Sequence, residues 1–552
     1  MTKTRRSVLM RLGDRVVNRM LKLPAATTKY SVRRGIPIPM RDGAVLRADH
    51  YVPETSTPAG TLLVRCPYGR GLPLSMLYAR IYAQHGYHVV FQSCRGTFGS
   101  GGRFTPGMNE VDDGADTVDW LRRQPWFTGT FGTLGQSYLG ATQWALLVDP
   151  PPELTAMVIT VGPHDLWDFL WGTGSLAIGA ALWWCDNHAH QEEGGIAAAF
   201  MRPYSAERHA RVAAARLPWG ESGRALLGDG APWYEDWLGH PDRTDEYWRP
   251  IQLGAVLERL QVPVLLVSGW QDVFLGQTLQ QYHRMRDRGV EVALTIGPWM
   301  HMDMMGRAAG TVAAESLQWF GQHLAPATGQ ARTSSVRIFL TGGPGWRDLP
   351  EWPVPSETQV LHLNTNTALT ELPPRSDALP SRFTYDPADP TPTVGGPALS
   401  MSAGYRTDTA LAERADVVSF TTEPLPRDTE VIGVPSVELV HVTDNPHADV
   451  FVRLSEVDPK GRSRNVTEGF VHLDAGHTAD FTASLTVSLD AVAHRFRAGM
   501  RIRLMIAGGS HPRFGRNSGT DEPVLTGTTL RPSKHTIAHG AGGISRLRLP
   551  VH

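Results

Sequence analysis

Cysteine is scarce: Cys66, Cys94 and Cys185 are the only three in 552 residues. Their odd number, their wide spacing and the lack of any CxxC pair exclude a disulfide scaffold and a cysteine-built zinc site. They point instead to a reducing compartment, the cytoplasm. A charge excess of one sign is also missing, because 53 Lys and Arg against 54 Asp and Glu leave a formal net charge of -1. Without a basic field the chain has no means of gripping phosphate backbones, so nucleic acid is excluded as a partner. No run of eighteen or more apolar residues occurs, which removes a transmembrane helix. Internal repeats and low-complexity tracts are lacking too. Arg5 and Arg6 followed by Ser7, Val8 and Leu9 carry a faint twin-arginine pattern. However, Arg11, Asp14, Arg15, Arg19 and Lys22 interrupt the apolar core that an export signal needs.

Apolar residues, by contrast, are plentiful at 41%, with 16 Trp among them, which suffices for several buried cores. At about 150 residues per domain the length suggests three to four domains. Residues 1–28 place Val8, Leu9, Leu12, Val16, Met20 and Leu23 at helical spacing among basic side chains. This is a basic amphipathic helix, read first as packed on the body of its own protein and second as a weak membrane-surface contact.

From 29 to 162 a β-meander (Ile36 to Met40, Val45 to Tyr51, Leu62 to Val64) gives way to alternation. Helices at Leu74 to His85, Asp112 to Arg123 and Leu139 to Val148 are interleaved with strands at His88 to Phe91, Gly129 to Leu134 and Ala156 to Val161. Strands separated by such helices predict a parallel sheet with crossovers. Pro37 and Pro39 cannot donate ladder hydrogen bonds, so the first strand belongs at an edge. Residues 163–255, rich in Trp, Ala, Gly and Arg, read as a helical insertion. The alternation resumes over 256–330 with strands Val264 to Val267 and Val292 to Ile296 and helices Leu275 to Asp287 and Ala313 to His323. From 331 to 552 helical patterns disappear, and short alternating runs such as Val450 to Leu454 and Arg501 to Ile506 predict an all-β domain, a sandwich or jelly roll.

The chemistry begins at Gly135-Gln136-Ser137-Tyr138-Leu139-Gly140, between a predicted strand and a predicted helix. A tight strand-to-helix turn with small neighbours lifts a serine Oγ above the sheet edge at a helix N-terminus. A nucleophilic serine needs a base, and the base needs an orienting carboxylate. Asp272 follows the strand ending at Val267, and His301 follows the strand ending at Ile296. Three such residues, each just past a parallel strand and in the order Ser, Asp, His, suit an α/β-hydrolase. Such a triad calls for no cofactor and no metal.

The chain resembles the cocaine-esterase and Xaa-Pro dipeptidyl-peptidase (CocE/NonD) family of serine hydrolases, from about Lys29 to its end. The resemblance rests on Met40-Arg41-Asp42-Gly43, Pro67-Tyr68, Cys94-Arg95-Gly96, Asp112-Asp113-Gly114 with Trp120, and the 135–140 elbow in its GxSYxG form. It rests further on Gly269-Trp270 with Asp272, Gly297-Pro298-Trp299 with His301, and Pro512-Arg513-Phe514. The resemblance implies an α/β-hydrolase domain with an inserted helical cap and a C-terminal jelly roll. It also implies that Tyr68 and the backbone N–H of Tyr138 donate to the oxyanion, and that cap tryptophans, Trp171 and Trp183 with Trp184 beside them, shape the acyl pocket. Phe274, two residues after Asp272, joins that pocket; for each of the tryptophans, packing in the core of the cap is an equal reading.

The substrate expected is a small acyl ester or amide, hydrolysed through an acyl-enzyme by a carboxylesterase. The alternative is an Xaa-Pro dipeptidyl-peptidase or acylamino amidase, although the family's peptidases carry an extra N-terminal domain that this chain is expected to lack. A more distant alternative is a non-catalytic carbohydrate-binding protein. Three further features carry less. His188 and His190 lie two apart and point to different faces of a helix, unlike metal ligands at i, i+4. Asp303 sits too near His301 to orient it, and Asn465-Val466-Thr467 is a glycosylation sequon by pattern alone.

Overall fold

The computed structural model describes residues 3–4, 8–325, 332–473 and 484–552. After helix α1 (Val8–Met20), strands β1 (Tyr30–Pro39) and β2 (Val45–Pro53) form an antiparallel pair. There follow β3 (Gly60–Cys66), β4 (Tyr87–Ser93), α2 (Glu110–Arg122), β5 (Phe131–Gln136), α3 (Tyr138–Leu146) and β6 (Leu154–Thr160). Five helices then leave the sheet: α4 (Leu166–Trp171), α5 (Ile178–Ala189), α6 (Ile196–Ala214), α7 (Trp219–Leu227) and α8 (Trp233–Gly239). The alternation returns with β7 (Val264–Gln271), α9 (Leu275–Asp287), β8 (Val292–Met300) and α10 (Ala309–His323), and it ends with β9 (Val336–Leu340) and β10 (Gly345–Leu349).

These strands join one sheet in the order β1-β2-β4-β3-β5-β6-β7-β8-β9-β10, with the two-residue strand Lys3–Thr4 beside β1. From β4 to β9 every pairing is parallel. Every residue of β3, β4, β5 and β7 is buried, as expected for parallel strands covered on both faces, and this explains why they read as near-continuous apolar runs.

Two expectations change. The segment expected to open the β domain supplies β9 and β10 to the large sheet, with Val336 opposite Leu294 and Ile338 opposite Ile296. Val336, Ile338 and Leu340 are fully buried against the sheet's own core. An alternating run reveals a strand but not the sheet that it joins. The helix expected from Leu74 to His85 is present over residues 74–83, but its middle, Met76–Arg80, is wound as a π-helical turn before Ile81–Ala83 returns to α geometry.

Helix α1 does pack on the body, but through the opposite face to the one its apolar spacing suggests. Asp14 is buried, accepts a hydrogen bond from the Tyr30 hydroxyl at 2.9 Å and lies 3.5 Å from Arg80. Leu12, Val16 and Met20 face solvent, 51%, 56% and 75% exposed. Leaving the buried Asp14 unpaired would cost about 3–5 kcal/mol, so the pair keeps the polar side of α1 on the body, while Leu21 and Leu23 just beyond the helix pack against the core.

Beyond β10 the chain is rich in strands. β11 (Val417–Thr421), β12 (Asp449–Val457), β13 (Ser463–His472) and β14 (Arg501–Ala507) form a four-stranded antiparallel sheet in the order β11-β14-β12-β13. A nine-stranded sheet faces it across a shared core that includes Phe420, Val452, Leu504, Val437, Leu439 and Leu547.

Candidate active site

The crossed elbow begins where β5 ends. Ser137 has φ 55° and ψ −125°, a conformation that costs a non-glycine residue about 1–3 kcal/mol and that persists only where the surroundings enforce it. Its N–H donates to the Thr160 carbonyl of β6 at 2.9 Å, and its own carbonyl accepts from Gly140 and Ala141 in the first turn of α3. A Cβ at position 135 would meet the Leu139 Cβ at 2.3 Å, and one at 140 would meet the Gly162 Cα at 2.6 Å. Helix α3 crosses the end of β6 at Gly140, so the second small residue falls there, while Leu139 fills the core.

Asp272 and His301 leave the same edge of the sheet, after β7 and β8. His301 Nδ1 lies 2.8 Å from Asp272 Oδ2, and Asp272 Oδ1 accepts the Phe274 N–H at 2.7 Å, so both carboxylate oxygens are engaged. Both side chains are almost wholly buried. A carboxylate on Nδ1 holds the proton on that nitrogen and leaves Nε2 as the acceptor. Two glycines of the recognisable motifs have steric causes here: a Cβ at Gly269 would lie 2.2 Å from the Trp299 carbonyl, and one at Gly297 would lie 2.3 Å from the Trp299 ring. Asp303 turns back to accept the Met300 N–H at 3.1 Å and faces Arg307 at 3.6 Å, so it is engaged away from the imidazole.

Tyr68 follows β3. Its hydroxyl oxygen accepts the Trp184 indole N–H at 3.0 Å, and the phenol also interacts with the Ser137 side chain. Burial pushes the phenol pKa well above its ordinary value, so it stays a proton donor. Tyr138 is locked from behind. Its hydroxyl donates to Glu110 Oε1 at 2.9 Å and accepts from the Gly107 N–H at 2.8 Å, while Glu110 is held by the buried Arg65 at 2.6 Å. Trp184 stacks over Tyr138, with ring centroids 6.1 Å apart.

The cap residues separate. Trp184 reaches the tyrosine pair, whereas the Trp171 indole donates to the Trp237 carbonyl and that of Trp183 to the Pro203 carbonyl. Trp183 lines a cavity of about 520 Å³ between the cap helices and the β-rich region, with Phe169, Val273, Leu399, Asp168 and Arg513. Phe274 sets its edge against His301 at 5.4 Å and packs on Phe169 at 4.9 Å, so the ring pair joins the imidazole to this cavity. His188 stacks on Phe104 at 4.2 Å. Burial lowers its pKa to about 4.

Sequence reasoning misses three partners: Glu110 with Arg65 behind Tyr138, Trp184 on Tyr68, and a clasp across the domain junction. Gln271, next to Asp272, donates to the Val466 carbonyl at 2.9 Å and accepts from Asn465 Nδ2 at 3.2 Å. Asn465 is therefore buried in a contact rather than displayed as a glycan acceptor. Nothing local in the sequence signals these roles, because the partners lie far away along the chain.

Comparison with known proteins follows this geometry. Residues 42–303 match the family model of the X-Pro dipeptidyl-peptidase (S15 family), and residues 328–548 match its C-terminal non-catalytic domain. Cocaine esterase of Rhodococcus sp. (strain MB1 Bresler) is 31% identical over 540 residues, covering 89% of this chain and 93% of that one. Two solved structures share the fold at 22% identity and a TM-score of 0.81. One is an aminopeptidase from the marine sediment archaeon Thaumarchaeota archaeon, covering 96% of this chain and 97% of its own. The other is an α-amino acid ester hydrolase, covering 96% and 98%. The two family models follow one another along the chain, and the similarity to cocaine esterase spans nearly all of it: this hydrolase belongs to the cocaine-esterase and X-Pro dipeptidyl-peptidase (CocE/NonD) family of serine hydrolases.

Proposed function

We propose that the protein is a carboxylesterase in which Ser137 is the nucleophile, His301 the general base and acid, and Asp272 the group that orients the imidazole. The observation that carries this reading is the 2.8 Å contact of His301 Nδ1 with a fully engaged Asp272, on the same sheet edge as a serine held at positive φ. His301 takes the Ser137 proton as Oγ attacks the acyl carbon, and returns it to the departing alkoxide. The bond to the alcohol breaks and an acyl-enzyme remains. Water then attacks that ester with the same base, releasing the acid and restoring the serine. The Tyr68 hydroxyl and the Tyr138 N–H stabilise the oxyanion at each tetrahedral stage. Phe274 and Trp183 border the acyl pocket, with Trp171 supporting its wall.

In this reading residues 163–255 form the cap, and the C-terminal β-rich region is a jelly roll that closes the pocket. The near-neutral chain and the apolar rings suit an uncharged acyl group. The three buried cysteines support a reducing compartment, the cytoplasm. One observation favours a second reading. Asp168, Glu207 and Asp490 line the same cavity, so a substrate bearing a free amine, as in Xaa-Pro or aminoacyl compounds, would meet carboxylates there.

Short and long p-nitrophenyl esters assayed beside Ala-Pro and Gly-Pro anilides test the choice. Ester turnover with little anilide turnover is expected, and turnover of anilides alone overturns the esterase reading. Ser137→Ala should abolish labelling by a fluorophosphonate probe in a folded protein; undiminished labelling removes Ser137 from the mechanism.

A further inference from the structure

We propose that α1 and the groove behind it form a docking site for an anionic phospholipid bilayer surface. The helix is mounted inside out. Asp14, its only acidic residue, is buried against Tyr30 and Arg80, and Asn18 donates to Gln84 Oε1 at 3.1 Å, so the polar side is the anchored one. That anchoring turns Leu12, Val16 and Met20 outward at i, i+4 and i+8, a single exposed apolar stripe. It also removes the helix's only negative charge from the outer face, where Arg15 and Arg19 are exposed beside the stripe and Lys22 follows.

The groove continues the pattern. A cleft of about 1160 Å³ runs between α1 and the sheet, and four cations, Arg15, Arg19, Lys22 and Lys29, line it against one carboxylate, Glu54. Among the described residues none of the four forms an ion pair. Apolar groups at the tip and unpaired cations behind them match the layering of a lipid interface, where acyl chains lie beneath phosphate headgroups. A free phosphate would use the groove and leave the apolar stripe without a purpose. A second copy docked stripe to stripe would bring arginines of like charge together. An anionic bilayer satisfies both halves of the surface at once, and it would hold the hydrolase at a lipid surface without a spanning helix.

Co-sedimentation of the full chain with vesicles tests this, comparing phosphatidylcholine alone with phosphatidylcholine containing phosphatidylglycerol, at low and high salt. Binding to the anionic vesicles that weakens with salt is expected. Both Val16→Glu/Met20→Asp and Arg15→Glu/Arg19→Glu should weaken it by at least about tenfold. Both pairs should leave turnover of a soluble ester and the melting temperature unchanged, since they alter only exposed side chains. Glycerol phosphate should displace the protein no more than sodium chloride of the same ionic strength. The proposal is overturned by equal binding to both vesicle types, by variants that bind like the wild type, or by full displacement with glycerol phosphate beyond that caused by sodium chloride of the same ionic strength. It is likewise overturned if Met20→Asp splits a dimer seen by light scattering while no vesicle binding occurs.

Discussion

Replacing Tyr68 by Phe isolates one hydroxyl. In the resting site its oxygen accepts the Trp184 N–H at 3.0 Å, which leaves the phenolic proton to serve as the donor in the proposed oxyanion site. The ring, its packing and the Tyr138 N–H all survive the substitution. In the proposed mechanism, what disappears is one of two donors aimed at charge that exists only in the tetrahedral state, which costs about 2.7–4 kcal/mol, or about 10²–10³ in kcat. KM should move little, because a ground-state ester carbonyl makes weak use of the donor. The Trp184 N–H loses its acceptor too, so a drop in stability of about 1–3 kcal/mol should accompany the kinetic loss. Trp184→Phe separates the two effects: it leaves the phenolic proton in place, and kcat should fall by less than about tenfold. Steady-state kinetics with p-nitrophenyl acetate and the rate of fluorophosphonate labelling provide the assays. A Tyr68→Phe enzyme whose kcat stays within about fivefold of wild type, or whose loss lies in KM alone, refutes the assignment of this hydroxyl to the oxyanion.

Three other expectations follow from the structure. Gln271→Ala cuts the clasp from the β-rich region to the residue preceding Asp272; kcat should fall by about tenfold or more with KM nearly constant, and lower stability with unchanged kcat would mean that the clasp is only structural. Glu468 accepts from the fully buried Arg453 at 2.8 Å and also binds Arg513, so Glu468→Gln should cost about 3–5 kcal/mol in denaturant unfolding; a loss below about 1 kcal/mol would show that the arginines find other partners. Burial lowers the pKa of His50 to about 2 and those of His88 and His164 to about 4, so the unfolded chain binds more protons than the folded one below about pH 6.5. Stability is then fully present above pH 6.5 and declines as the pH falls toward about 4, which unfolding midpoints across that range will show; a flat profile would contradict the buried neutral imidazoles.

Much of the candidate site is legible because its residues sit just past the ends of parallel strands, and those strands announce themselves as apolar runs. Ser137, Asp272 and His301 are placed that way by pattern alone. Tyr68 follows a strand end too, yet only family resemblance singled it out, since nothing local distinguishes it from another loop aromatic. The lock on Tyr138 was illegible: Arg65, Glu110 and Tyr138 come from three separate elements, and no periodicity links them. Helix α1 shows the opposite failure. Its apolar spacing predicts the buried face, and one buried aspartate outweighs three exposed aliphatic side chains. The strands at 336–349 were visible as strands, but alternation says nothing about which neighbour offers the free edge.

The helical insertion leaves and rejoins the sheet at nearly one point. Asp165 and Gln252 form an antiparallel bridge, and Leu253 donates to the His164 carbonyl at 2.8 Å. β6 and β7 meanwhile stay paired, with Val158 opposite Leu265. An excursion closed at its own neck can be exchanged for another without re-registering the strands beneath, so substrate preference can diversify, or be engineered by grafting, while the hydrolytic centre stays intact. One contact crosses the neck and is lost unless the graft restores it: the donor that Trp184 offers to Tyr68.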